Sequence, residues 1–386
     1  MNPLSLRLLG QQLSCPEFST PHDVVSWMGA MQGQDYRAMR WAVGMRTGHP
    51  SEKSFREAFN SGSIIRTHLF RSTWHLVAAE DYGWMIDLCS DKSRSGIRGW
   101  IKQSGVVISE DEELRFREFI SGALRGRGSL DRSGIESIVL ESGFPCRPEH
   151  IKYQLYLAEV SGVICSGNME GNERTWILSS DKIASRPLMT RSEALEELAR
   201  RYFRSHSPAT FEDYVWWTGL NAGECRQGIE ALGDELVRER WKGLEFYVYR
   251  DCRTRGCRSG KVLLLPPYDE YLIGYKSRQV ALPPEYRHRA HDQKGIFWPV
   301  ILLDGKVVGN WSASGSSSAA VHRTSPAAAS SSGSTSSGAS PATASGFGSG
   351  SSRSHCISVD LFNPASPLPA EALQKEIDRY VRFCGN

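Results

Sequence analysis

Two glutamines one residue apart, Gln32 and Gln34 in the run MQGQD, have the type and spacing of a small reaction centre. A glutamine amide is no general base near neutral pH, but it donates and accepts hydrogen bonds. A pair can hold a water and stabilise charge that develops in a dissociative transition state. In a helix, residues two apart point to different sides, whereas in an extended segment they share one. Convergence therefore requires a helix end, kink or loop at Gly33, whose missing Cβ permits one. The plainer alternative is two solvent-facing glutamines on an unbroken helix. Asp35, adjacent, can assist as a base, or cap or pair structurally.

A second group lies in RTHLFRSTWHLV: Arg66, Thr67, His68, Arg71, Thr73 and His75. Alternation puts Arg71, Thr73 and His75 on one strand face, where Arg and Thr suit phosphates and His suits a groove or a sugar. An ordinary polar strand face reads the same way. In PYDEYLIGYKSR, the acidic pair Asp269 and Glu270 reads as structural support, because neighbours on a strand point oppositely. Tyr275, Lys276 and Arg278 are placed to touch backbone phosphates. LRGRGSLDRS and CRTRGCRSGK are basic runs that suit phosphates or simply solvent. His288 and His291 have near-metal spacing but no further ligands nearby, so no metal and no cofactor are expected. No lysine stands out as a nucleophile, which favours direct attack by water. Nine cysteines without a C-x-x-C pair read as free thiols, with a disulfide or half a zinc site open for Cys252 and Cys257.

These residues need a scaffold, and 386 residues allow several units. Hydrophobic residues make up 40% and charged residues 23%, as in a soluble globular protein. With 46 basic and 43 acidic residues the net charge is +3, so a nucleic-acid surface must come from local placement. Apolar runs are too short to span a bilayer and no secretory leader is legible, so no membrane partner and a cytoplasmic location are expected. The chain repeats a rhythm of helices followed by a strand pair, the order of a winged helix-turn-helix. The fold expected is α+β: three tandem winged helix-turn-helix units, at 1–108, 109–185 and 186–260, then a small β-rich C-terminal unit at 261–386. Caps are expected at Thr20 with Pro21 behind it, at Asp131 or Ser129, at Thr190 or Ser192, and near Ser207 and Thr210. KVLLLPPYDEYLIGY and GIFWPVILLDGKVVGNW read as strands, with Asp304-Gly305 as a hairpin turn. Residues 312–353 hold no Lys, Asp or Glu and are mostly Ser, Ala and Gly, a low-complexity insertion that cannot bury enough apolar area to fold alone.

GAMQGQDYRAMRWAVGMR, IIRTHLFRSTWHLVAAEDYGWM, LLLPPYDEYLIGYKSR, GIFWPVILLDGKVVGNW and VDLFNP together resemble the winged-helix DNA-binding family that includes the AlkZ and YcaQ DNA glycosylases. The resemblance covers residues 1–311 and 357–386. After Trp311 the family continues with basic residues through another strand pair, where this chain carries its serine-rich stretch; an insertion or a local frameshift would each produce that.

The resemblance implies hydrolysis of N-glycosidic bonds in alkylated bases, including bulky purine N7 adducts. In the Gln-x-Gln branch it also implies unhooking of interstrand crosslinks. Both glutamines are present as Gln32 and Gln34, the catalytic residues it implies. It favours DNA contact for Arg66, Arg71, Thr73, His75, Tyr275 and Arg278. The expected partner is double-stranded DNA, bound by a monomer. A non-catalytic winged-helix protein, either a transcription regulator or a damage sensor, is the alternative from another functional class.

Overall fold

The computed structural model describes residues 2–184, 189–257, 259–313, 343–344 and 356–385. Most of the serine-rich stretch lies outside the described residues. The chain mixes helices with small antiparallel sheets.

The first stretch runs α1 (Pro3–Gly10), α2 (Pro21–Met28), β1 (Met31–Gln32), α3 (Ala38–Gly44), α4 (Glu52–Asn60), β2 (Ile64–His68), β3 (Trp74–Ala78) and α5 (Ala79–Gln103). Thr20 caps α2 through its side chain and Pro21 takes the first helical position, as expected. Gly29, in left-handed conformation at φ 76°, ends that helix. The break thus falls four residues before Gly33. Gly33 itself has no left-handed backbone, and a Cβ there would make only ordinary contacts. The extended β1 that follows puts the glutamine segment on a sheet edge.

A second stretch holds α6 (Glu110–Leu124), β4 (Leu130–Asp131), α7 (Arg132–Glu141), α8 (Pro148–Val160), β5 (Ile164–Ser166), β6 (Thr175–Leu178) and α9 (Ser179–Lys182). Asp131 caps α7, and Ile151, Leu155, Leu157 and Ala158 of α8 are fully buried. A third stretch holds α10 (Arg191–His206), α11 (Phe211–Thr218), α12 (Ala222–Ala231), β7 (Leu236–Trp241) and β8 (Leu244–Tyr249). Thr190 and Thr210 form capping boxes at α10 and α11.

The last stretch holds β9 (Val262–Leu265), α13 (Glu270–Ile273), α14 (Arg287–Ala290), β10 (Val300–Leu303), β11 (Lys306–Ala313), β12 (Thr343–Ala344), β13 (Ile357–Leu361) and α15 (Ala370–Gly385). Its sheet has the order β12-β13-β11-β10-β9. Asp304 and Gly305, both at positive φ, make the predicted hairpin turn. The segment expected to continue as strand after Pro267 is instead a one-turn helix, because Asp269 caps it by accepting the Tyr271 N–H.

The sheet β1-β3-β2 carries the candidate residues and corrects one expectation. Its hairpin, β2 and β3, was expected to show a polar face, but every residue of both strands is buried. Register explains how. Gln32, His75 and Thr67 line one face, while Met31, Leu76 and Arg66 line the other. The first face shares a core with α10 and α11, including Ile65, Val77, Tyr202 and Trp217. The second packs on the core of α2 to α4 and reaches α8, where Glu159 meets His68 at 3.1 Å. A sheet covered on both faces buries its polar side chains too.

Candidate active site

Gln32 is only 5% exposed, and its surroundings fix it through both backbone and side chain. Its N–H donates to Glu270 Oε1 at 2.7 Å, and its Nε2 donates to Thr73 Oγ1 at 3.3 Å. Gly33 N donates to Trp74 O at 2.7 Å, while Arg66 Nε donates to Gly33 O at 2.9 Å. Gln34 follows, half-buried. The Oε1 atoms of Gln32 and Gln34 are both buried, and neither finds a hydrogen-bond partner among the described residues. Two amide oxygens thus keep acceptor capacity in a water-poor place, which suits holding a water or facing a developing cation. Asp35 takes the capping option: its Oδ1 accepts the N–H groups of Arg37 and Ala38, both at 2.9 Å.

Beneath Gln32 sits a buried carboxylate. Glu270 gives its second oxygen to Trp217 Nε1 at 3.2 Å, and His206 Nε2 stands 3.5 Å away. Burial works against the charge, but His206 and the charges around it, Arg71 among them, outweigh it and hold Glu270 below the usual carboxylate range. Sequence reading took Glu270 for strand support. The clue it missed is the capping aspartate just before it, which turns the segment into a helix and points the two carboxylates to different tasks.

The residues expected to touch DNA divide by burial. Arg66 is 1% exposed, with Nη1 donating to Ser166 Oγ at 3.2 Å and its guanidinium over the Trp74 ring. His75 is fully buried, its Nδ1 against Thr73 O at 3.0 Å. Tyr275 is fully buried, donating to His206 O, accepting from Gln11 Nε2, and stacked under Arg7. These three lie beneath the surface, contrary to expectation, because helices cover the sheet on both sides and α1 covers Tyr275. Arg71, Thr73 and His75 do not share a strand face either: Arg71 and Ser72 sit in a tight turn at positive φ. Half-buried Arg71 donates to the carbonyls of Trp216 and Trp217. Thr73, also half-buried, receives Gln32 and donates to Phe70 O. Arg278 is half-buried against Trp216 and Phe297. Of the six, Arg71, Thr73 and Arg278 retain a surface. Cys252 and Cys257 are free thiols, and His291 stacks on Phe297.

A family model described as DNA glycosylase AlkZ-like matches residues 25–383. The chain belongs to this family. It is 26% identical over 304 residues, 75% of its length and 81% of the relative's, to an interstrand DNA cross-link repair glycosylase of Streptomyces sahachiroi. The solved structure of the Streptomyces sahachiroi DNA glycosylase AlkZ shares its fold, with a TM-score of 0.75 over 100% of this chain and 96% of that one, at 23% identity. As an AlkZ-like DNA glycosylase, the chain acts on DNA, so the orphaned amide oxygens of Gln32 and Gln34 belong to an enzyme that breaks base–sugar bonds. No helix among the described residues is long and apolar enough to cross a membrane.

The buried His75 has a consequence for pH. Burial foremost, then the Arg71 charge, push it down to about 3. The unfolded chain binds that proton near pH 6.5, so stability is complete above that pH and falls as pH drops from there toward 3. The slope from this one group is about 1.4 kcal/mol per pH unit. His75→Asn keeps a donor for Thr73 O and removes the titration. Denaturant midpoints at pH 7, 6 and 5 are expected to fall more steeply for the wild type than for the variant. Parallel curves would mean that His75 takes up its proton in the folded protein.

Proposed function

We propose that the protein hydrolyses the N-glycosidic bond of alkylated purines in double-stranded DNA, chiefly of the N7-alkylguanine type, with Gln32 and Gln34 as catalytic residues and without a lyase step. The observation that carries this reading is the pair of unpartnered amide oxygens on the segment that Glu270 anchors. An N7-alkylated guanine already carries positive charge and leaves without an acid. What remains is to stabilise an oxocarbenium-like sugar and deliver water, and amide oxygens do both. An ionised carboxylate one hydrogen bond behind Gln32 adds a fixed negative charge that favours the cation. Neutral, undamaged bases leave poorly from such a site.

Interstrand crosslinks at N7 offer the same positively charged leaving group, and the Streptomyces sahachiroi relative is named for their repair. The three stretches of helices ending in a strand pair read as tandem winged helices, at 1–108, 109–185 and 186–260, gripping the duplex as a monomer without metal or cofactor. The test is incubation with duplex DNA carrying N7-methylguanine, then alkaline cleavage at abasic sites. Strand scission at the lesion is expected. Duplex binding without base release from either methylated or crosslinked DNA would refute the enzymatic reading.

A further inference from the structure

We propose that Trp216 is a stacking platform for an unpaired nucleobase of the bound DNA, with Arg71 and Arg278 taking the phosphate beside it. This rests on the glycosylase reading above. Trp216 and Trp217 are neighbours on α11 with opposite fates: Trp217 is fully buried, while Trp216 is 37% exposed. The exposed indole is fixed, since its Nε1 donates to Ile273 O at 3.1 Å. The guanidinium carbons of Arg71 and Arg278 each lie 5.5 Å from its ring centroid, and Arg278 also covers Phe297 at 4.9 Å. Both arginines are anchored by backbone carbonyls, Arg71 by that of Trp216 and Arg278 by that of Leu272. Neither is hydrogen-bonded to a carboxylate among the described residues, although Glu270 faces the charge of Arg71 and Asp213 that of Arg278. Exposed Lys276 and Arg287 add positive charge. Burial foremost, then the charge of Arg287, lowers the Arg278 pKa to about 10.

The platform adjoins the glutamines by two short routes. Thr73, which receives the Gln32 amide, is two residues from Arg71. Trp217 donates to Glu270, whose other oxygen receives the Gln32 N–H. A flat ring flanked by cations is how proteins hold an unstacked base and its phosphate without reading sequence. Excision of a purine leaves its partner base unpaired, so a base of this kind is present next to the site in every turnover.

The experiment uses the full chain and a duplex with a tetrahydrofuran abasic analogue opposite 5-iodouracil. Photo-crosslinking is expected to mark the peptide that contains Trp216. Trp216→Ala is expected to bind this duplex at least about ten-fold more weakly, while Trp216→Phe, which keeps a stacking ring, stays within about three-fold. Arg278→Met is expected to lower the slope of log affinity against log salt by about 1. Crosslinks that avoid this peptide, or an alanine variant with wild-type affinity, would overturn the proposal. So would a phenylalanine variant as weak as alanine, which would assign the indole to its bond with Ile273. The two readings fail separately: a wild type that releases no N7-methylguanine sinks the glycosylase reading, whereas release together with an unaffected Trp216→Ala sinks only the platform.

Discussion

Alanine at Gln32 or at Gln34 is expected to slow base release from N7-methylguanine duplexes by at least about 100-fold, the loss that follows removal of one preorganised polar group aimed at a transition-state charge. Duplex affinity should stay within a few-fold, because phosphates are gripped elsewhere. The prediction is sharp for structural reasons. The bond from Gln32 to Glu270 uses the backbone N–H, so Gln32→Ala keeps it and loses only the amide and its contact with Thr73. Gln34 is half-buried, and its amide oxygen has no partner among the described residues, so Gln34→Ala removes no known support from the fold. Single-turnover rates with saturating enzyme separate the chemical step from binding. A variant that releases base at the wild-type rate would remove that glutamine from the mechanism. If both variants do so, the chemistry lies elsewhere on the chain.

What the sequence made legible follows the range of the forces involved. Helix starts at Thr20, Asp131, Thr190 and Thr210 could be read because a cap is settled by a side chain and the backbone two or three residues on. The Asp304-Gly305 turn is local in the same sense. The glutamine pair was legible because an extended backbone is what its convergence demands, although the helix ends at Gly29 and not at Gly33. Errors cluster where distant segments decide burial. Nothing within RTHLFRSTWHLV tells that α8 covers one face of its hairpin and α10 and α11 the other, which is why Arg66 and His75 were expected to touch DNA and are found inside. Tyr275 went the same way, under α1 and its C-terminal cap Gln11, which lies 264 residues earlier and donates to its hydroxyl. Trp216 and Trp217 are identical in type and adjacent, and only the packing of α11 distinguishes the anchor of Glu270 from an exposed ring.

The largest loss of stability is expected from Arg46→Met. Arg46 is fully buried and forks onto Asp269, with Nη1 to Oδ2 at 2.8 Å and Nη2 to Oδ1 at 2.7 Å. Ala42 O and Gln11 Oε1 take the other donors of Nη1 and Nη2 at 2.7 and 3.0 Å, while Nε is buried without a partner among the described residues. Methionine fills much of the space but leaves the Asp269 carboxylate, 2% exposed at its side chain, without a counter-charge. Breaking one side of a buried pair costs about 3–5 kcal/mol. The same carboxylate starts α13 through the Tyr271 N–H, and the first residue of that helix is Glu270. Activity should therefore fall further than the folded fraction does, since Glu270 loses its hold on the Gln32 backbone as the helix start loosens. Asp269→Asn keeps an oxygen for the cap and removes the stranded charge, so the double variant is expected to be more stable than Arg46→Met alone, by denaturant midpoint. A double variant no more stable than the single one would show that the loss comes from packing around Arg46 and not from the uncompensated carboxylate.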